Sequence, residues 1–401
     1  MRYEMTAADA AQRLGVKQAT LYAYVSRGVL SRGRAAGGRA SLFDADEVEG
    51  LALRGRPRRP AGAADIIVES RITEITADQL RYRGFDAIEL ARTRTFEEVA
   101  ELLWTGGFPA SPGQWQATPG ALAAGHAAQA ALPEGTLPLE RFQVIVPAMA
   151  ATDALRLELD PVAVVAAARG IIAGLVDCLA PQPAGPILPA GTPIAGRLWA
   201  RLCERRAAPG LLRALSAALV LLADHELAAS TLAARAAASV RADPYAVVAT
   251  GLGAVGGALH GGSSLGAETL LATAHSPADV PRVVGELLRR GEKVPGFGHF
   301  VYKSGDPRAI ELLEEIRRAA PKSGQLAIAE AILAEVSQKS LPEPNVDFAI
   351  ATLARVAGMI RGAGEAIFAV ARTAGWIAHA LEAYTTDPIR PRAVYIGPVN
   401  P

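Results

Sequence analysis

The sequence predicts a mainly all-α protein divided into more than one domain, and three observations carry that expectation. The chain has 401 residues, beyond the size at which a single core usually keeps growing. Half of its residues are hydrophobic and only a fifth charged, which builds buried cores and excludes a disordered chain. Alanine and leucine dominate, with few aromatics and few β-branched runs, and apolar side chains recur at helical spacing between short Gly/Pro breaks. A net charge of +1 argues against a protein that coats nucleic acid along its whole length, although a local basic patch fits inside that total. Cys178 and Cys203 form no CxxC pair and are expected to be buried thiols. The first residues carry no signal-peptide pattern, and no apolar run reaches membrane-spanning length without a charge or breaker. The chain is therefore expected to be cytoplasmic.

Residues 1–54 read as a separate unit. Thr6 to Val16 is a short capped helix ending at Gly15, and Lys17 to Gly28 starts a second helix after a tight turn. Two short helices hinged at a glycine make a helix-turn-helix whose second helix presents Lys17, Gln18, Thr20, Tyr24 and Arg27. The basic stretch 31–43, with Arg39, reads as a hairpin wing, and 44–51 as a closing helix. The unit resembles the winged helix-turn-helix of MerR-type and excisionase-type DNA binders. Its basic residues would then neutralise phosphates, and a docking or dimer-stabilising module is the alternative. Residues 55–62, rich in arginine and proline, mark a linker.

From residue 63 amphipathic helical stretches follow one another, such as TFEEVAELLW at 95–104 and the strongly apolar run 211–224. The regions 105–140 and 181–193 read as loops. Three pattern matches lack the context their chemistry needs. Gly251-Leu-Gly-Ala-Val-Gly256 is a GxGxxG after a run that passes for a strand, but the glycines at 261 and 262 cut short the helix a nucleotide fold requires. Gly262-Ser-Ser-Leu-Gly266 is a GxSxG without the strand that feeds a nucleophile elbow. His225-Glu226 begins a zinc-protease motif whose fifth position is Ala229, and no metal-ligand spacing occurs elsewhere.

Of six histidines, His126, His275 and His379 sit in ordinary surroundings. The other three have neighbours suited to chemistry: His225 in DHELAAST, His260 in GALHGG and His299 in VPGFGHFVYKSGDPR. Asp347 in PNVDF is an acid inside an apolar segment. Glycines beside two of these histidines allow close backbone approach to a ligand and free N–H groups as donors. One carboxylate, two imidazoles and no activated nucleophile suit proton abstraction next to a carbonyl, with neutral imidazoles donating where charge develops.

These stretches, together with RYRGFD at 81–86, FAVARTAGW at 368–376 and IRPRA at 389–393, resemble those of the citrate synthase family over roughly residues 63–401. The resemblance implies a helical fold with large and small domains, the small one roughly 264–355, and an obligate dimer or larger oligomer. It implies Asp347 as the base toward acetyl-CoA, His260 stabilising the enol or enolate, and His299 polarising oxaloacetate. Arg308, Arg372, His225 and, from the partner subunit, Arg390 would hold the oxaloacetate carboxylates. Val294, Pro295, Gly296, Phe297 and Gly298 would receive CoA, with Lys303 near its phosphate. The CoA thioester enters as a co-substrate, with no metal and no tightly bound cofactor.

The pocket lining departs from the family at Ala228, Phe300 and the residues after Phe348. Propionyl-CoA, giving 2-methylcitrate, therefore stands beside acetyl-CoA. A regulator whose synthase-like domain senses oxaloacetate, citrate or CoA is the alternative of a different class. It has no need of Asp347 together with both imidazoles.

Overall fold

The structure is a computed structural model and describes residues 4–14, 16, 18–26, 30–34, 41–45, 47–48, 68–76, 79–111, 113–183, 185, 188–302 and 305–390. The chain forms two compact units, residues 1–69 and 70–401.

In the first unit, β1 (Glu4–Thr6), α1 (Ala7–Leu14), α2 (Gln18–Ser26), β2 (Arg32–Arg34) and β3 (Ser41–Asp44) follow in order. Strand β3 lies between β1 and β2, antiparallel to both, with Met5 opposite Phe43 and Gly33 opposite Leu42. Thr6 starts α1: its Oγ1 accepts from the Asp9 N–H at 3.3 Å and donates to the Asp9 carboxylate at 2.7 Å. Leu21, Leu30, Phe43 and Val48 close a small core. The two helices and the wing hairpin agree with the sequence reading, and β1 is an addition to it. Of the expected closing helix 44–51, Asp44 instead ends β3, while the described residues 45, 47 and 48 are helical. Lys17, Arg27 and Arg39 lie outside the described residues. Gln18 is exposed and Thr20 half-buried, whereas Tyr24 packs against the core and is only partly available to a ligand.

The second unit opens with a small antiparallel sheet of β4 (Thr73–Ile75), β5 (Leu80–Tyr82) and β6 (Phe85–Asp86), which the sequence reading did not anticipate. Helices then follow almost without interruption. They are α3 (Ala87–Thr93), α4 (Phe96–Thr105), α5 (Pro119–Ala128), α6 (Pro138–Ala150), α7 (Pro161–Asp177), α8 (Ile194–Leu202), α9 (Pro209–Leu222) and α10 (Ala229–Ser239). They continue as α11 (Pro244–Val255), α12 (Gly262–Thr273), α13 (Val280–Arg289), α14 (Pro307–Ala319), α15 (Gly324–Gln338), α16 (Val346–Ala357) and α17 (Ala363–Ala383).

Several starts are written as an acid or hydroxyl followed by proline. Thr118, Asp160, Asp243 and Asp306 each accept from backbone N–H groups of the turn they open, and the next proline has no N–H to leave unpaired. Each such cap stabilises its helix by about 0.5–2 kcal/mol. Thr95 and Glu98 add a reciprocal capping box on α4. The Thr118–Pro119 signal corrects one expectation: the stretch 105–140, read as loop, contains the whole of α5. The described residues of 181–193 hold no helix or strand.

Helix α17 is the axle of this unit. Its residues 363 to 380 are all buried, and it packs on α4, α6, α7, α9, α10, α11, α12 and α16. Trp104 of α4 donates its indole N–H to the Ala374 carbonyl of α17 at 2.9 Å. No described helix is long and apolar enough to cross a membrane. Both cysteines are buried.

Helix packing also explains the GxGxxG. The stretch before it is helical, not a strand, and Gly251 lies inside α11, where a Cβ would sit 2.6 Å from the Trp376 ring. Gly251→Ala should therefore overpack the α11–α17 contact and cost about 1–3 kcal/mol. Chemical denaturation would show this as a lowered midpoint at unchanged slope; an unchanged midpoint would mean the contact yields freely.

Candidate active site

The site is assembled by a backbone pairing between two loops. Gly298 donates its N–H to the Glu343 carbonyl at 2.8 Å, and Asn345 donates to the Gly296 carbonyl at 2.9 Å. Gly296 and Gly298 have φ values of +81° and +84°, a region costly for any residue with a Cβ. At Gly296 a Cβ would also lie 2.8 Å from Phe348. The Asn345 side chain ties the two loops together, donating to the Gly298 carbonyl at 2.9 Å and accepting from the Asp347 N–H at 3.0 Å. Asn345 is thus the N-cap of α16 and a clasp on the loop that carries His299. The expectation that the glycines free their N–H groups for a ligand is corrected at Gly298, whose N–H is spent on this pairing.

Hydrogen bonds orient two imidazoles. Backbone N–H groups of Val301 and Tyr302 point at Nδ1 of His299, at 3.0 and 3.2 Å, so Nδ1 is an acceptor and the neutral ring carries its proton on Nε2. That Nε2 lies 3.5 Å from Nη2 of Arg308. Two donors facing one space suit a shared acceptor oxygen. His260 lies in the turn between α11 and α12, with Nε2 at 2.7 Å from Ser230 Oγ. The Ser230 oxygen also receives the Trp376 indole N–H at 3.3 Å; in the tautomer where Ser230 gives its single proton to His260 Nε2, the ring carries its own proton on Nδ1. His225 is buried, with Nε2 at 3.2 Å from the Tyr302 hydroxyl and its ring 5.2 Å from that of His299.

Burial, reinforced by neighbouring positive charge, keeps His260 and His225 neutral. Burial, then Arg372, lowers the His260 pKa to about 4. Burial holds His225 well below the usual histidine range, and Arg308, Arg372 and His299 push in the same direction. Arg308 is buried at the start of α14 and paired with both oxygens of Asp306, through Nε at 2.9 Å and Nη2 at 2.8 Å. This ion pair lies in the interior, not on the surface. Burial opposes the charge on both partners, but their attraction outweighs it, raising the Arg308 pKa and lowering that of Asp306.

Arg372 of α17 is different. Its Nε donates to the Leu222 carbonyl at 2.8 Å and its guanidinium lies over the Phe368 ring at 4.6 Å, yet no described carboxylate reaches ion-pair distance. Burial pulls its pKa down to about 10, the attraction of Asp224 only partly offsetting the loss. A buried guanidinium short of an anion suits a carboxylate ligand.

Asp347 is half-buried in the first turn of α16 and accepts from the Ser264 hydroxyl at 2.7 Å. Burial raises its pKa, with the Ser264 hydrogen bond and the Arg308 charge opposing. Beside the loop lies a cavity of about 570 Å³ lined by Val294, Phe297, Gly298 and His299 together with Leu288 and Lys293. Lys303 lies outside the described residues. Arg390 is exposed beyond α17 and makes no hydrogen bond or ion pair with the described residues. Sequence reasoning missed Ser230, Ser264, Tyr302, Asp306 and Asn345. Ser264 was in view only as the serine of the GxSxG, and it serves this site as a hydrogen-bond donor to Asp347. His379 is buried within 3.4 Å of Asp224, the residue before His225, whose other oxygen accepts from Thr73 at 2.6 Å.

Residues 62–392 match the sequence model of the citrate synthase C-terminal domain, and residues 5–54 that of the MerR HTH family of regulatory proteins. Citrate synthase 2 of Bacillus subtilis is 32% identical over 364 residues, covering 83% of this chain and 94% of its own. The citrate/2-methylcitrate synthase of the same organism is 28% identical over 362 residues, covering 83% and 95%. Among solved structures, the ternary complex of carboxymethyl coenzyme A and oxaloacetate with citrate synthase from Thermoplasma acidophilum superposes with a TM-score of 0.69 at 25% identity, covering 84% of this chain and 96% of that one.

Neutral imidazoles make a testable signature. By NMR, His260 should titrate at about 4, and His225 should stay neutral across the range in which the protein is folded. Below a pH of about 6.5 the unfolded chain takes up protons that these two rings refuse, so their contribution to stability falls as pH drops. A midpoint near that of free histidine for either ring would overturn the arrangement.

Proposed function

The chain belongs to the citrate synthase family, and we propose that it condenses acetyl-CoA with oxaloacetate and water to give citrate and CoA. Asp347 removes a proton from the acyl methyl group. The Nδ1–H of His260 donates to the thioester oxygen as the enol or enolate forms, where a positioned donor acts on charge that appears only in the transition state. The Nε2–H of His299 polarises the keto carbonyl of oxaloacetate, the new carbon–carbon bond closes on that carbon, and hydrolysis of the citryl thioester releases CoA. Arg308, Arg372 and His225 hold the oxaloacetate carboxylates, with Arg390 contributed by a second copy of the chain in a homodimer. CoA lies along Val294, Pro295, Gly296, Phe297 and Gly298, with Lys303 toward its phosphate.

The observation that carries this reading is the pair of imidazoles held by hydrogen bonds, His260 to Ser230 and His299 to two backbone N–H groups. A binding protein needs cations for a dianion. It does not need Asp347 together with both imidazoles. Propionyl-CoA is the second acyl substrate to weigh, because a relative of similar coverage is named for both citrate and 2-methylcitrate synthesis. One methylene is worth only about 1–3 kcal/mol of discrimination. For the N-terminal unit, residues 1–54 ahead of a 55–62 linker, the MerR match supports DNA as the partner.

Thiol release from acetyl-CoA and from propionyl-CoA, each with oxaloacetate, tests the proposal. Turnover with at least one is expected, and Asp347→Asn should lower kcat about 10²–10⁴-fold by removing the base. No release from folded protein would sink the enzyme and leave the sensor reading. For the N-terminal unit, retention on duplex DNA at low salt and release at high salt is expected of the whole chain. Indifference to DNA at low salt would limit the unit to docking.

A further inference from the structure

A second cavity, of about 510 Å³, opens in the large unit and shares no lining residue with the site described above. Its walls come from the start of α4, the 113–117 segment, the end of α7, the 188–193 segment and one face of α8. The size falls in the range of small-molecule sites. Its floor is partly apolar, with Leu122, Leu188 and Pro189, and its positive charge lies on α8.

Two guanidiniums one helical turn apart, Arg197 and Arg201, line it, and they are not equivalent. Arg197 is fully committed. It is paired with both oxygens of Asp177, at 3.0 Å through Nε and by a closer contact through Nη2, and Nη1 donates to the Trp115 carbonyl at 2.8 Å. Arg201 is half-buried in the same wall and makes no side-chain hydrogen bond or ion pair with any described residue. Burial lowers its pKa, Asp177 only partly opposing. Trp115, also in the wall, buries an indole N–H with no hydrogen-bond partner. Both are donors short of an acceptor, and a half-buried cation beside a cavity of this size suits an anion.

The remaining acid limits the charge of that anion. Glu97 is buried, and its Oε1 accepts from the Ile194 N–H at 2.7 Å. Burial raises its pKa, toward the neutral form. With Arg197 and Asp177 cancelling, the lining offers one unpaired positive charge when Glu97 is protonated and none when it is ionised. A polyphosphate or a tricarboxylate would bring more negative charge than this wall can balance. We propose that this cavity binds a small organic monocarboxylate, its carboxylate on Arg201 and its apolar body along Leu122, Leu188 and Pro189.

The test is direct binding to the intact protein, so its outcome does not depend on catalysis. Sodium hexanoate, sodium benzoate and sodium phosphate are titrated separately, with calorimetry and tryptophan fluorescence as readouts, because Trp115 lines the cavity and stacks on Trp104 at 5.3 Å. One hexanoate or benzoate should bind per chain and alter the fluorescence, with phosphate at least tenfold weaker. Arg201→Gln should weaken carboxylate binding at least tenfold at unchanged Tm, and Arg201→Lys, which keeps the charge, should retain part of it. Binding that survives Arg201→Gln but is lost in Arg372→Gln would place the acid in the catalytic site and overturn the proposal. So would phosphate binding as tightly as the carboxylates, or no binding of either acid at millimolar concentration.

Discussion

The candidate site hangs on the clasp between residues 296–298 and 343–345. Its hydrogen bonds, with the Asn345 side chain reaching across, place the loop that carries His299 against the first turn of the helix that carries Asp347. Asp306 reinforces the same junction. One carboxylate caps α14, grips the Arg308 guanidinium and accepts the Val346 N–H at 3.1 Å. Helices α14 and α16 are therefore anchored to a single buried charge pair. Removing either partner would leave the other charge uncompensated, which typically costs about 3–5 kcal/mol.

A second economy lies in the cations. Arg308 is held charged by Asp306, while Arg372 is buried with only a carbonyl and an aromatic face for company. Both depress the pKa of His225, and Arg372 also depresses that of His260. The charges proposed to attract a dianion thus add to burial in keeping His225 and His260 neutral. Neutral rings with directed protons are what the proposed chemistry asks of His260 and His299. The cost is a region of unbalanced positive charge in the interior, which the proposed dianion would relieve. The Asp224–His379 pair below supplies partial compensation without neutralising Arg372.

Much of this was legible in the chain. The helical class followed from composition and spacing, and the helix starts from Asp-Pro and Thr-Pro pairs. Residues drawn together from DHELAAST, GALHGG, VPGFGH, SGDPR and PNVDF share one region because each motif sits at an element end, where a side chain can face a neighbour. Short pairings without a periodic signal were not legible: β1, the β4–β6 sheet, and α5 behind a stretch dominated by loop residues. The hydroxyl partners were missed for another reason. Ser230 and Ser264 act through another group, and nothing in the types of their neighbours announces that. Gly298 shows the limit of composition, since a glycine chosen for its φ was mistaken for one that frees an N–H.

The claim that this clasp sets the catalytic geometry is tested most directly by kcat for oxaloacetate-dependent thiol release in Asn345→Ala. That change deletes the tie to Gly298 and the cap on Asp347 while leaving every group proposed to do chemistry in the chain. A fall of about 10–100-fold in kcat is expected, the scale of effect when reacting groups shift by about 1 Å, in protein whose Tm shows it still folded. A kcat equal to that of the unaltered chain would contradict this, because His299 and Asp347 would then be placed without that contact.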